Sequence, residues 1–273
     1  MTLLSLRHGV KIGRFPTMDI RNLQPYDIGE MIRIGDKNDG GYVIPRWLPD
    51  MDFLVSFGLG DNWSFERNAL KSKIVRDFFV FDHTVSSSVF LSKFTKRFRS
   101  SPTNFKANYY RLLVLFRYVL DFRLRGFKHV KKQITRDHSN STKTNLIEIA
   151  RQLHESNFAL KIDIEGDEYL IIDQIIAMSS RVPLLIIEFH ETESMRKIFC
   201  NALKNLASEY TIVHTHCNNF TGLSSDGIPL TLELTLLRND LVSTSEKIDA
   251  IPRKGLDSPS SRIKPDISLD FMN

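Results

Sequence analysis

Cysteine is scarce in this chain. Cys200 and Cys217 are the only two in 273 residues, which leaves no disulfide framework to staple the fold and points to a reducing, cytoplasmic setting. Long apolar runs are also missing. The most apolar helical stretch, 109–122, is broken by Arg111, Arg117 and Asp121, whereas a transmembrane segment needs about 20 largely uncharged residues. Near the N-terminus, Leu3-Leu4-Ser5-Leu6 is too short for a secretory core and no small-residue cleavage site accompanies it. No Gly/Ser- or Pro-rich linker divides the middle of the chain, and no internal repeat occurs. These absences predict a single soluble, intracellular domain, for which 42% hydrophobic residues supply a continuous core.

What is present is a lopsided charge distribution. The net charge is only +5, yet the stretch from Lys93 to Arg136 holds thirteen basic residues against one acid, Asp121. That stretch therefore carries +12 and the remainder of the chain −7. Such asymmetry predicts an anionic partner.

Strand and helix signals alternate along the chain. Asp39-Gly40-Gly41 reads as a turn entering a strand. Apolar runs at 53–57, 77–82, 128–135, 158–163, 182–190 and 210–214 read as six strands, and the alternating 231–237 as a seventh. Helices are expected at 64–73 with Ser64 as N-cap, at 144–155 with Thr144 or Asn145 as cap, at 169–178, at 194–208, and within the basic segment 90–127. Two successive strands at the end predict an antiparallel last strand. The expectation is an α/β protein with a seven-stranded, mostly parallel sheet covered by helices on both faces. One domain spans 1–242, with an N-terminal extension over 1–32 and a helical insertion near 90–127. The polar segment 243–273 is expected to be an extended or poorly ordered tail.

Ligands of open parallel sheets bind at the carboxyl ends of the strands. The first strand stops at Ser56-Phe57-Gly58-Leu59-Gly60-Asp61-Asn62, where glycines let backbone amides approach a ligand closely. Asp82 follows at the interval of an acid that receives ribose hydroxyls. These two signals are shared by S-adenosylmethionine and NAD sites. Asp61, Asn62 and Trp63 stand where the dinucleotide fingerprint continues to its third glycine, which tilts the reading away from NAD. The fourth strand ends in Lys161-Ile162-Asp163-Ile164-Glu165-Gly166-Asp167-Glu168. Asp167 and Glu168 suit the start of a helix, but that leaves Asp163 unexplained. Three strand ends are thus expected to bring Asp163, Glu188 or His190, and His214 or His216 to one rim.

Leu160-Lys161-Ile162-Asp163-Ile164-Glu165-Gly166-Asp167-Glu168, together with Val55–Gly60 and Phe79–Asp82, resembles the FkbM family of methyltransferases. Arg33-Ile34-Gly35 through Asp39-Gly40-Gly41-Tyr42 and His214-x-His216-x-Asn218-Asn219 look like elements of a related branch of methyltransferase-like proteins. The resemblance runs from about Arg33 to Arg238 and implies a Rossmann-like class I methyltransferase fold that binds S-adenosylmethionine. It places Gly58 and Gly60 on the methionine part and Asp82 on the ribose, with Ser56, Phe57, Asp61, Asn62 and Asp163 completing the cofactor site. Family members commonly O-methylate hydroxyls of sugars or natural-product scaffolds. The basic stretch 93–127 departs from the family pattern and looks like an insertion.

Methyl transfer is an in-line displacement that depends on alignment of the acceptor oxygen, and a sugar hydroxyl needs a base to remove its proton. His190, His216 and Asp163 are the candidates, in that order. Alternatively, a divalent ion on Asp163, Glu188 and a histidine such as His216 acidifies the hydroxyl. The insertion reads as a helical pair packed on the sheet with a solvated basic face. It also suits a lid or platform for an anionic acceptor, or for a membrane surface carrying a lipid-linked glycan at the inner face of a membrane. An RNA methyltransferase and a non-catalytic binding protein are the competing readings.

Overall fold

The computed structural model describes residues 18–137 and 139–272. The N-terminal signals at Leu3–Leu6 and the basic residues Arg7, Lys11 and Arg14 lie outside that range. Its strands are β1 (Met31–Gly35), β2 (Gly41–Pro45), β3 (Phe53–Phe57), β4 (Asp77–Phe81), β5 (Lys128–Val130), β6 (Gln133–Ile134), β7 (Lys143–Thr144), β8 (Phe158–Ile162), β9 (Leu184–Phe189), β10 (Tyr210–Cys217), β11 (Leu232–Arg238), β12 (Ala250–Ile251) and β13 (Leu269–Asp270). The helices are α1 (Ser64–Lys71), α2 (Ser87–Ser100), α3 (Phe105–Val119), α4 (Leu146–Gln152), α5 (Ile172–Ala177) and α6 (Arg196–Leu206).

Seven strands form the central sheet in the order β10-β11-β9-β8-β3-β4-β5. All neighbours are parallel except β11, which runs antiparallel to both β9 and β10. The expected seven strands and the antiparallel last strand are both present. From β3 the chain proceeds outward through β4 to β5, then returns to β8 on the other side. The order therefore reverses between β3 and β8, where the diverging loops open a crevice.

Side chains alternate across the sheet with period two. One face presents Val55, Phe57, Leu160, Ile162, Leu185, Ile187 and Leu234 to α4, α5 and α6. These are fully buried aliphatic and aromatic side chains, each contributing about 1.5–3 kcal/mol. The other face presents Leu54, Val80, Ala159, Ile186 and Leu237 to the β1–β2 hairpin, α1 and α3. On that second face the apolar positions give way, toward the strand carboxyl ends, to Ser56, Lys161, Glu188, Glu233 and His216, all buried or nearly so. Of these, Lys161 and Glu188 reach the crevice.

Three expectations change, and the N-terminal extension proves to be part of the body. The strand predicted over 128–135 divides: β5 pairs with β4, but β6 leaves the main sheet to pair with β7. Ser64 does not cap its own helix. Its Oγ accepts from the Asp36 N–H and donates to the Gly40 carbonyl, tying α1 to the β1–β2 hairpin, while Asn62 Oδ1 accepts from the Ser64 N–H. The described part of the N-terminal extension is integrated into the body: Leu23 is fully buried, and Tyr26 N–H donates to the Ile212 carbonyl on the outer edge of β10. Finally, the segment from Ser243 is no loose tail. It buries Ile251, Leu269 and Phe271 in the core, pairs β12 with β13, and bonds to β10 through Asp257 and His214.

Candidate functional site

The glycine loop is built by a close approach of two strand ends. Gly58 has φ +87°, and a Cβ there would stand 1.8 Å from the Asp163 carbonyl oxygen, so both conformation and space demand glycine. Gly58 N–H donates to Phe81 O, and Asp163 N–H to Phe57 O, carrying the ladder one residue past the strands. Gly60, with φ +56°, faces open space. Asp82, one residue beyond β4, braces the loop. Its Oδ2 accepts from the Leu59 N–H at 2.9 Å and the Gly60 N–H at 3.4 Å, and its Oδ1 accepts from the Thr84 N–H and hydroxyl at 2.7 Å. Desolvation pushes this carboxyl up, but the hydrogen bonds from Thr84, Leu59 and Gly60 outweigh it and hold the pKa below the ordinary value. His129 supports the Asp82 carbonyl at 2.8 Å and meets the Tyr118 hydroxyl of α3 at 2.7 Å.

Beneath the loop lies a buried polar triad. Ser56 Oγ donates to Glu66 Oε1 at 2.6 Å, and Lys161 Nζ stands 3.4 Å from the same oxygen and from the Gly58 carbonyl. Burial alone would lower the Lys161 pKa; Glu66 and Asp163 outweigh it and raise it, so the ammonium is charged. The triad locks α1 to β3 and β8 and fixes the height of the glycine loop.

Two cavities open above this floor and share Gly60, Asp163 and Glu165. The first, about 190 Å³, is lined by Gly58, Phe81, Asp82, His83, Ile134 and Asp167. The second, about 330 Å³, is lined by Asp39, Tyr42, Asp61, Asn62, Glu66, Lys161, Glu188, His190 and Asn218. Asp163 stands between them. Burial pushes its pKa up to about 6, against the pull of Lys161 and His190. His190 hangs from the end of β9, with Nδ1 at 2.7 Å from Glu168 Oε1. Its Nε2 lies 4.0 Å from Asp163, 3.7 Å from Glu165 and 3.8 Å from Glu188. Burial lowers the His190 pKa, but the bond to Glu168 and the other acids raise it to about 10, so the imidazole is held charged. Glu188 is pushed well up by burial, then by Asp163 and Glu233, and accepts from Asn218 Nδ2 at 2.8 Å.

The structure therefore unites Gly58, Gly60, Asp61, Asn62, Asp82, Asp163, Glu188 and His190 at the cavities. Asp61 is ion-paired with Arg111 at 2.6 Å, and Asn62 also braces the hairpin through Asp36 and the Asp39 carbonyl. Ser56 and Phe57 line neither cavity: Ser56 faces Glu66, and Phe57 packs edge-on to Phe81 in the opposite core layer. His216 is not at the rim. Its Nδ1 lies 3.3 Å from Glu233 and its Nε2 3.5 Å from Asp266. His214 pairs with Asp257 at 2.8 Å, and Asn219 binds Ser261, Lys264 and Pro265. The His-x-His-x-Asn-Asn segment thus grips the C-terminal segment, with Asn218 alone turned to the site. This removes His216 from both the base and the metal sets. Among the described residues, the group whose ligand atoms fall within 4.8 Å of one another is Asp163, Glu165 and His190. The roles of Lys161, Glu66, Glu165, Glu168 and His129 escaped sequence reasoning. Buried charge at Lys161, in an otherwise apolar strand, was the one visible signal.

Cys200 and Cys217 are free, and no helix among the described residues is long and apolar enough to cross a membrane. No family model and no curated protein matches the chain. Among solved structures, spermidine synthase from Thermotoga maritima is similar at 12% identity with a TM-score of 0.37, covering 70% of this chain. The match spans about half of that structure, 54% of its length.

Proposed function

We propose that the chain is an S-adenosylmethionine-dependent O-methyltransferase of the FkbM type, acting on a hydroxyl of a sugar, glycan or related small molecule. The observation that carries this reading is the pair of cavities meeting at Asp163, at the reversal of strand order. One is bounded by the glycine loop and Asp82, the other by an acid-lined pocket. The first suits the cofactor, with Gly58 and Gly60 leaving room for its backbone-proximal part and Asp82 near the ribose. Asp163 and Glu165 favour a cationic sulfonium at the junction.

Bound there, S-adenosylmethionine would supply a methyl group activated by its sulfonium: the acceptor oxygen would bond to that carbon as the C–S bond breaks with its electrons to sulfur, and the acceptor must lose a proton. The residues decide where that proton goes. His190, held as imidazolium, has no free lone pair to accept it, so Asp163 takes its place as the base, with a pKa close enough to neutrality for the role. His190, fixed by Glu168, keeps Asp163 in place. In the second cavity Asp61 is paired with Arg111 and Glu66 with Lys161, and burial pushes Glu188 well up, so the lining offers hydrogen-bonding groups with little uncompensated charge, which supports an uncharged polyol acceptor. A divalent ion would sit on Asp163, Glu165 and His190, after loss of the imidazolium proton, and would acidify the hydroxyl instead.

Calorimetric titration tests the central claim. Binding of S-adenosylmethionine and not NAD is expected, and binding of NAD alone overturns it. Chelator dialysis before a methyl-transfer assay separates the two proton routes: undiminished turnover leaves Asp163 acting without metal.

A further inference from the structure

We propose that the α2–α3 hairpin is a docking surface for an anionic lipid bilayer, lying in the plane of the interface. On α3, Phe105, Tyr109, Leu112 and Phe116 recur at i, i+4, i+7 and i+11 and are 78%, 66%, 47% and 61% exposed. This spacing makes one continuous stripe. The opposite side of the same helix buries Val114 and Tyr118 against the sheet, so the stripe is an addition to the core-facing surface. On α2, Phe94 and Phe98 pack with ring centroids 6.0 Å apart, and with Phe105, Tyr109 and Leu112 they line an open apolar groove between the helices. Apolar surface of this extent on one element marks an interaction site.

Charge selects the partner. Asp121, the single acid between Lys93 and Arg136, is 1% exposed and taken up by Trp63 and Arg125. Lys96, Arg97, Arg99 and Lys106 form no ion pair among the described residues and lie on the same two helices as the stripe, with Lys106 on the lining of the groove. A second copy of the hairpin, or the segment 1–17 with Arg7, Lys11 and Arg14, would bring like charge to like. RNA would satisfy the cations and leave Phe105, Leu112 and Phe116 in water. An anionic bilayer covers both, with headgroup phosphates at the cations and the acyl boundary under the stripe. The helices, 14 and 15 residues long, are too short to cross and lie on the surface. Arg111 of α3 pairs with Asp61 on the lining of the second cavity, which ties the docking element to the site. The inference is independent of the reaction performed there.

Co-sedimentation of the full chain with vesicles tests it. The protein is expected to sediment with phosphatidylcholine–phosphatidylserine vesicles at physiological salt and far less with phosphatidylcholine alone. Neutralising Lys96→Gln, Arg97→Gln and Arg99→Gln together should weaken binding about a hundredfold. The triple change Phe105→Ser, Tyr109→Ser and Phe116→Ser, which keeps every charge, should weaken it at least about tenfold, with an unchanged thermal unfolding midpoint for both variants. No sedimentation with anionic vesicles overturns the proposal. So does equal binding by the serine variant, salt-sensitive binding to single-stranded RNA with none to vesicles, or a dimer that the serine variant dissolves.

Discussion

Asp163 and His190 divide the work of the site through their surroundings. Asp163, pushed up to about 6 by burial, gains its charge as pH rises through that value, so a methyl-transfer rate should climb along a limb centred near pH 6. Asp163→Asn should lower turnover by about 10²- to 10⁴-fold and erase that limb, while calorimetry still registers cofactor binding; a limb that survives the substitution assigns the proton to another group. Gly58 and Gly60 invite a paired test. Alanine at Gly60 meets open space and costs only the left-handed backbone strain, about 1–2 kcal/mol. Alanine at Gly58 collides in addition with the Asp163 carbonyl, so its denaturation midpoint should fall further. Both glycines were legible in the sequence as a ligand loop. The collision that makes Gly58 obligatory was not, because Asp163 lies more than a hundred residues away.

Strand β10 shows how an element can misdirect a reading of its residues. His214 and His216 fall at the end of a strand, where polar residues of a parallel sheet gather at the site, yet β10 is the outermost strand and its end serves the C-terminal segment. His216 is charged: burial lowers its pKa, but Glu233 and Asp266 raise it to about 10. Relative to an ordinary histidine near 6.5, such a group adds stability that is complete below about pH 6.5 and lost as pH rises through about 10. His190 behaves alike, so the thermal midpoint should drop between pH 7 and 11. His216→Ala should cost about 3–5 kcal/mol, the penalty for stranding a buried acid, and blunt that pH dependence without changing affinity for S-adenosylmethionine. A loss of turnover at full stability would return His216 to the chemistry. Among the helix caps, Asn145 on α4 was legible in the sequence, whereas Ser86 on α2 and Asn104 on α3 came from the structure; each accepts from the N–H three residues on.

For the whole molecule, the C-terminal segment is a structural component. Removing residues 243–273 exposes the surfaces that Ile251, Leu269 and Phe271 cover and frees His214 and Asn219. Burial of those three side chains alone is worth about 1.5–3 kcal/mol each, on the scale of the margin by which a domain is folded. The truncated chain should therefore melt far below the full one or fail to fold, as circular dichroism would show. Its composition concealed this, because three apolar anchors are diluted among serine, proline and lysine.

Periodicity and chain order were enough to determine seven strands, the antiparallel last one, the glycine loop and the acidic end of the fourth strand, because these depend on neighbours within a few residues. Which acids and histidines meet was decided by strand order alone. β8 lies between β3 and β9, which brings Asp163, Glu165 and His190 together, while β10 is held two places from β9 by the insertion of β11. The protonation of those groups followed from the same placement, since burial and the sign of adjacent charge exist only once the sheet has assembled.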